Sequence, residues 1–211
     1  MSRCRPFLLA LPLLAFGCRP AAPPITGTAA PAGLPKAELP PVHLKYVFKW
    51  LYFDGDTQLS GDGAARISPP DSVRLDFFVA RGMGSGHVML IGDSLRTPGP
   101  NQVKVLVPPP PLLWASLGRL DVPRLPDTLA RATGDTLRVE LSGAGNTRWR
   151  TTFVASALRE VSQLVGSHIE QFVTRDPEKG TAHYEHHRGR RLDITLTRVD
   201  TVPGFDAAIW Q

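Results

Sequence analysis

From residue 42 onward the chain alternates apolar and polar positions. The clearest case is 72–79, where Val73, Leu75, Phe77 and Val79 alternate with Arg74, Asp76 and Phe78. A period of two puts the first set on one face of a β-strand, and Phe78 marks the other face as more than solvent. The same pattern aligns Leu137, Val139 and Leu141 in 136–141, Trp149, Thr151 and Phe153 in 147–154, and Leu192, Ile194 and Leu196 in 191–202. An aromatic strand at 46–53 ends at the turn signal Asp54-Gly55-Asp56, and a strand at 58–67 follows. Gly61 and Gly63 predict a bulge or bend there. Further strands are expected at 87–91 and 94–97, a tight hairpin around Gly92-Asp93, and at 128–133, 169–174 and 182–187. Leu158, Val161, Leu164 and Val165 suit a helix, while Gly166 bounds an equally good strand over 158–165. Prolines 108–111 lead into a short helix at 112–118, with Leu113, Leu117 and Leu120 on one side and Gly118 as its stop. The fold class is mainly β (α+β): a curved antiparallel sheet or incomplete β-barrel of about eleven strands, with one or two short helices.

Residues 1–17 have a different texture. Arg3 and Arg5 precede an apolar run over 7–16 that ends at Gly17-Cys18. A run this short falls below the roughly 20 residues that span a hydrocarbon core. Its Pro12 would cost roughly 3 kcal/mol inside a helix. A cleaved secretory signal fits better than a spanning helix. The Gly17-Cys18 junction resembles the lipobox of bacterial lipoproteins, which implies a diacylglycerol on Cys18. The other cysteine, Cys4, lies in the segment removed, so disulfide and thiolate chemistry are not expected in the domain. Residues 18–41 are expected to be the lipidated cysteine and a partly flexible linker. That stretch holds seven prolines and too little apolar surface to offset ordering entropy. The β domain then covers 42–211.

Charge narrows the function classes. Removing Arg3 and Arg5 leaves 22 of the 24 Lys and Arg against 19 Asp and Glu, so the net charge falls from +5 to +3. Both signs are interspersed, which disfavours nucleic acid as a partner. The loop Gly82-Met83-Gly84-Ser85-Gly86 lacks the Lys-Ser/Thr of a phosphate loop and precedes a strand, so it reads as a connection. There is no Gly-x-Ser-x-Gly, and Asp54, Asp56 and Asp62 do not complete a calcium loop. His183, Glu185 and His187 share one face of 182–187, with His186 opposite. They are a weak zinc or copper candidate, an exposed titrating tract being favoured. No catalytic set stands out, so an enzyme is not expected, and no cofactor is called for.

The run Ile67-Ser68-Pro69-Pro70-Asp71-Ser72-Val73-Arg74-Leu75-Asp76 resembles the Pro-Asp-x-x-Arg-Leu strand start of the lipoprotein-carrier superfamily of LolA and LolB. The closing Val202-Pro203-Gly204-Phe205-Asp206-Ala207-Ala208-Ile209-Trp210 is similar to that family's terminal Pro-x-x-x-aromatic segment. The resemblance implies a half-barrel closed by helices over a cavity for acyl chains. It also implies that Arg19, rather than Asp, after the lipidated cysteine directs the protein to the outer membrane, facing the periplasm. The family's long helix before its first strand has little room here. The leading expectation is a non-catalytic, lipid-anchored envelope protein holding an acyl chain or a lipoprotein's lipid. Val73, Leu75, Phe77, Val79, Trp149 and Phe153 would line its concave face or form its core. Leu113, Trp114 and Leu117 would act as its lid. Partners would be the membrane, through the N-terminal lipid, the lipid ligand, and other envelope proteins. The alternative is a structural or interaction lipoprotein whose sheet is simply filled.

Overall fold

The computed structural model describes residues 21–30, 34–97, 103–123 and 128–210; the signal segment 1–17 and Cys18 lie outside them. The described strands are β1 (Thr28–Ala29), β2 (His43–Asp54), β3 (Thr57–Ser68), β4 (Ser72–Val79), β5 (Ser85–Ile91), β6 (Ser94–Arg96), β7 (Thr128–Thr133), β8 (Thr136–Ser142), β9 (Thr147–Val154), β10 (Ala157–Val165), β11 (His168–Asp176), β12 (Thr181–His186) and β13 (Arg191–Val202). A helix, α1 (Pro110–Leu117), lies between β6 and β7, and 3₁₀ turns occupy Ala80–Gly82 and Ala207–Trp210. All thirteen strands join one antiparallel sheet in the order β1-β7-β8-β9-β10-β11-β12-β13-β2-β3-β4-β5-β6. Two meanders, β2–β6 and β7–β13, are thus joined where β13 pairs with β2, from Arg191↔Phe53 to Val202↔His43. The ends, β1 and β6, stay apart, so the sheet is a half-barrel.

Three register shifts bend it. They lie between Leu158 and Glu160, between Gln163 and Leu164, and between Leu196 and Arg198. An unpaired residue in one strand curves that strand and raises its twist. At the third shift Thr197 Oγ1 donates to Val47 O at 3.1 Å. The curvature wraps the apolar face of every long strand around one core, which holds Phe48, Trp50, Leu75, Phe77, Val139, Phe153, Val161, Tyr184 and Leu192.

Gly61 and Gly63 make no bulge, because β3 keeps an unbroken register with both β2 and β4. Their role is close approach. A Cβ on Gly63 would overlap the Phe48 ring, and one on Gly61 would overlap the Phe78 carbonyl. The missing side chains let Phe48 and Trp50 lie flat on β3 and meet Phe77 edge-on, with centroids 5.7 and 5.6 Å away. The ambiguous stretch 158–165 is a strand because β9 and β11 both pair with it, an outcome that local periodicity does not contain.

Described parts of the proline-rich stretch, expected to be a partly flexible linker, attach to the sheet domain. Ala22 N donates to Ser167 O (2.7 Å), β1 adds to the edge of β7, and Ala37 O accepts from Leu120 N (2.9 Å). Leu34, Ala37 and Leu39 pack on the core. Proline removes donors and fixes φ, yet an edge strand needs donors on one side only, so a chain this poor in donors can still lie along a sheet.

Candidate functional site

The concave side is where the apolar positions converge. Helix α1 lies across it, with Pro110 in its first turn and Gly118 closing it in the left-handed region (φ 98°), where Gly118 N and Arg119 N cap Ala115 O and Trp114 O. A helix apolar on every side must be buried on every side. Leu112, Leu113, Trp114 and Ala115 accordingly have relative exposures of 0–1%. Trp114 Nε1 donates to Gly92 O at 2.7 Å, and the Arg119 guanidinium sits 4.5 Å from its ring centroid.

At the open end of the helix, Leu117 is only half-buried. It borders a cavity of about 30 Å³ that Tyr46, Phe48, Leu75, Ile194 and Leu196 also line. That holds one or two waters, against the roughly 300–1,000 Å³ of ligand pockets. Beside the helix C-terminus Arg175, the cross-strand partner of the lining residue Ala182, packs under Gly118 so closely that a Cβ there would lie 2.8 Å from its Nη1. Burial lowers the Arg175 pKa and raises that of Tyr46, which faces it. A cation here also opposes the partial negative charge of the helix C-terminus.

Val73, Leu75 and Phe77 on β4 and Trp149 and Phe153 on β9 are buried, and Val79 is half-buried. Six strands separate β4 from β9 in the sheet, yet both sets belong to the same core. Of these residues, Leu75 borders the cavity. Of the three lid residues, Leu113 and Trp114 are fully buried and Leu117 faces the cavity. Sequence reasoning put Leu196 on the apolar face of 191–202 without placing it at the site, and passed over Tyr46 and Arg175 as site residues. Arg175 was out of reach because β11 runs two residues past the predicted end at 174.

The histidine tract divides. His183 and Glu185 stay in register on β12, where His183 Nδ1 lies 2.5 Å from Asp193 Oδ1 and its Nε2 3.4 Å from Glu185 Oε2. β12 ends at His186, so His187 leaves their face and joins His186 beside Glu170 of β11. The signal that a strand ends there was Gly189, two residues beyond His187.

The two stretches that carry the family resemblance touch. Arg74 Nη1 donates to Ile209 O at 2.9 Å, and its Nε bonds the Asp76 carboxylate at 3.0 Å, which Arg66 also holds. Phe205 meets His43 and Trp210 edge-on at 5.7 and 6.3 Å.

This architecture defines a class: an open antiparallel β half-barrel with a helix filling its concave face. Among solved structures it is similar to a LolA superfamily protein from Nitrosomonas europaea, at 9% identity over 83% of this chain and 92% of that one, with a TM-score of 0.54. A putative outer membrane lipoprotein-sorting protein domain from Vibrio parahaemolyticus (6% identity, 83% and 92% coverage, TM-score 0.48) and a DUF1329 family protein from Desulfovibrio piger (10%, 80% and 89%, 0.45) are more distant. No protein-family model matches the sequence, and no curated protein does. At such identities the likeness is one of fold, and the domain is LolA-like in fold.

Proposed function

We propose that this is a non-catalytic, lipid-anchored protein of the cell envelope that holds an acyl chain in the concave side of its half-barrel. The observation that carries the reading is the way this face is covered. A sheet that does not close places its apolar side under one eight-residue helix. An apolar cavity opens at the end of that helix, where Arg175 packs against Gly118. A ligand with an apolar tail and an anionic head matches that chemistry, the tail entering at Leu117 and displacing α1 against Phe48 and Leu196, the head meeting Arg175. The LolA-like fold supports the same class of ligand.

The anchor would be the lipid on Cys18. Ala22 is tied to Ser167, and four residues extend at most about 14 Å. The tether therefore holds the β10–β11 turn close to the bilayer instead of letting the domain stand off. Outer-membrane residence, facing the periplasm, follows from the resemblance and Arg19.

One observation favours a second reading, an interaction lipoprotein with a filled sheet: the cavity is about 30 Å³ and Trp114 is fully buried. Native mass spectrometry of the Cys18→Ser protein purified without detergent separates the two. Co-purified acyl lipid, lost in Leu196→Glu and reduced in Arg175→Gln, supports the first. Absence of lipid, together with no thermal shift on adding palmitate or lysophospholipid, leaves the second.

A further inference from the structure

At the rim formed by the β12–β13 turn, His186 N donates to Arg190 O and Gly189 N to His186 O, both at 2.8 Å. Gly189 takes a φ of 85°, so the chain reverses directly after β12. His187 N is held by Glu170 O at 2.9 Å. The reversal sets the two imidazoles side by side, with centroids 4.4 Å apart and planes 36° apart. Both aim a nitrogen at one carboxylate oxygen: His187 Nδ1 lies 2.9 Å and His186 Nε2 3.4 Å from Glu170 Oε1. The three side chains bring their donor atoms within 4.8 Å of one another.

We propose that Glu170, His186 and His187 form a binding site for a divalent transition-metal ion of the zinc and copper class. Two imidazoles and a carboxylate are the donors these ions take from proteins. Ligands about 2.1 Å from a tetrahedral ion stand about 3.4 Å apart, close to the two nitrogen–oxygen separations of 2.9 and 3.4 Å already present. The ion replaces the protons that the imidazoles share with Glu170. His186 then carries its proton on Nδ1 and gives up the bond that this atom accepts from Arg188 N at 3.2 Å. The remaining coordination position is open to water, since His187 is exposed. Arg188 and Arg190 repel a cation, so binding rests on nitrogen ligation and not on a negative field. Calcium and magnesium, which need several oxygen ligands, are excluded by the same donor set.

The test is calorimetric titration of chelator-treated full-length protein, carrying no polyhistidine tag, with zinc chloride, copper(II) chloride and calcium chloride. One equivalent of zinc or copper binds. Glu170→Gln and His187→Ala each weaken binding at least about tenfold, since even outer-shell changes cost that much. His183→Ala leaves it unchanged, and calcium gives no heat. Copper(II) paramagnetic resonance shows coupling to two nitrogens, falling to one in His187→Ala, and circular dichroism confirms that each variant keeps the fold. Absence of saturable zinc or copper binding overturns the site, as does loss of binding in His183→Ala with retention in Glu170→Gln.

Discussion

Replacing Trp114 with alanine tests whether helix α1 is core or cover. The side chain is fully buried, donates to Gly92 O at 2.7 Å and stacks under Arg119 at 4.5 Å. Large-to-small changes at a buried Trp cost about 3–5 kcal/mol. The lost hydrogen bond, worth about 1 kcal/mol, and the cation–π contact, about 0.5–1, put this site in the upper part of that range. A loss of about 4–5 kcal/mol is expected in ligand-free protein. For a domain of this size each kcal/mol lowers Tm by about 2–4 °C, so Tm should fall by about 8–20 °C. Trp114→Phe keeps most of the apolar contact, forfeits the hydrogen bond, and should cost only about 1–2 kcal/mol. Differential scanning calorimetry of both variants on a Cys18→Ser background reads these shifts. If Trp114→Ala lowers Tm by less than about 4 °C, the helix is not part of the core and the packing argument fails. If the two variants lose equally, the hydrogen bond and not the buried ring holds the helix.

The glycine nest in β3 makes a second prediction. Gly63→Val drives a side chain into Phe48 and should cost about 1–3 kcal/mol, with the penalty shrinking in combination with Phe48→Leu; additive losses would refute the contact. Ala155 and Ser156 turn from β9 to β10 with φ of 47° and 65°, a conformation that costs non-glycine residues about 1–2 kcal/mol. Less the roughly 0.5–1 kcal/mol that glycine's extra chain entropy costs, Ser156→Gly should raise Tm by about 1–4 °C, and a lower Tm would count against strain there. Burial, reinforced by Arg74, lowers the His87 pKa from 6.5, and the His87 Nε2 is buried without a hydrogen-bond partner. A depressed histidine contributes stability that is present above pH 6.5 and lost as pH falls through the lower folded value. Tm should therefore drop on acidification from pH 7 to 5, and less so in His87→Gln; identical profiles would refute it. Cys18→Ser should release the protein from the membrane fraction, and a variant that still sediments with membranes would rule out the lipid anchor.

Strands 72–79 and 147–154 were legible to the residue because one face of each is buried. A period-two pattern cannot then slip without exposing that face. Where the sequence was less informative, non-local pairing decided. Stretch 158–165 carries a helix-compatible pattern and is a strand through its neighbours. β1 and the proline segment have no apolar periodicity, and they attach because the edge of β7 offers backbone partners that no local signal announces. The candidate site was legible only as composition. The residues on β4 and β9 form one core, but which of them meet the cavity depends on the sheet's curvature, set by three irregularities whose positions leave no mark in the hydrophobic pattern. His187 shows the same limit: one residue of strand length moves it from the His183 face to Glu170.

Whether a filled half-barrel can hold an acyl chain is a question of free energy. Lifting α1 from the sheet exposes Leu112, Leu113 and Trp114. At about 1.5–3 kcal/mol for each buried apolar side chain, this costs about 5–9 kcal/mol. An acyl chain taking the helix's place gains about 0.8 kcal/mol per methylene. The exchange breaks even near 6–11 methylenes, before the cost of ordering the chain. Affinity should thus show a threshold. Octanoate, with six methylenes, should not bind, and palmitate, with fourteen, should, the dependence steepening in proteins where α1 is held more tightly. Trp114→Phe, which loosens the helix without emptying the core, should lower that threshold and tighten binding of intermediate chains. Displacement of a fluorescent fatty acid by a series of C8 to C18 carboxylates measures it. Binding that rises smoothly from the shortest chain, with no effect of Trp114→Phe, would place the ligand outside the helix-covered face. Failure of every chain length would leave the sheet as a filled scaffold.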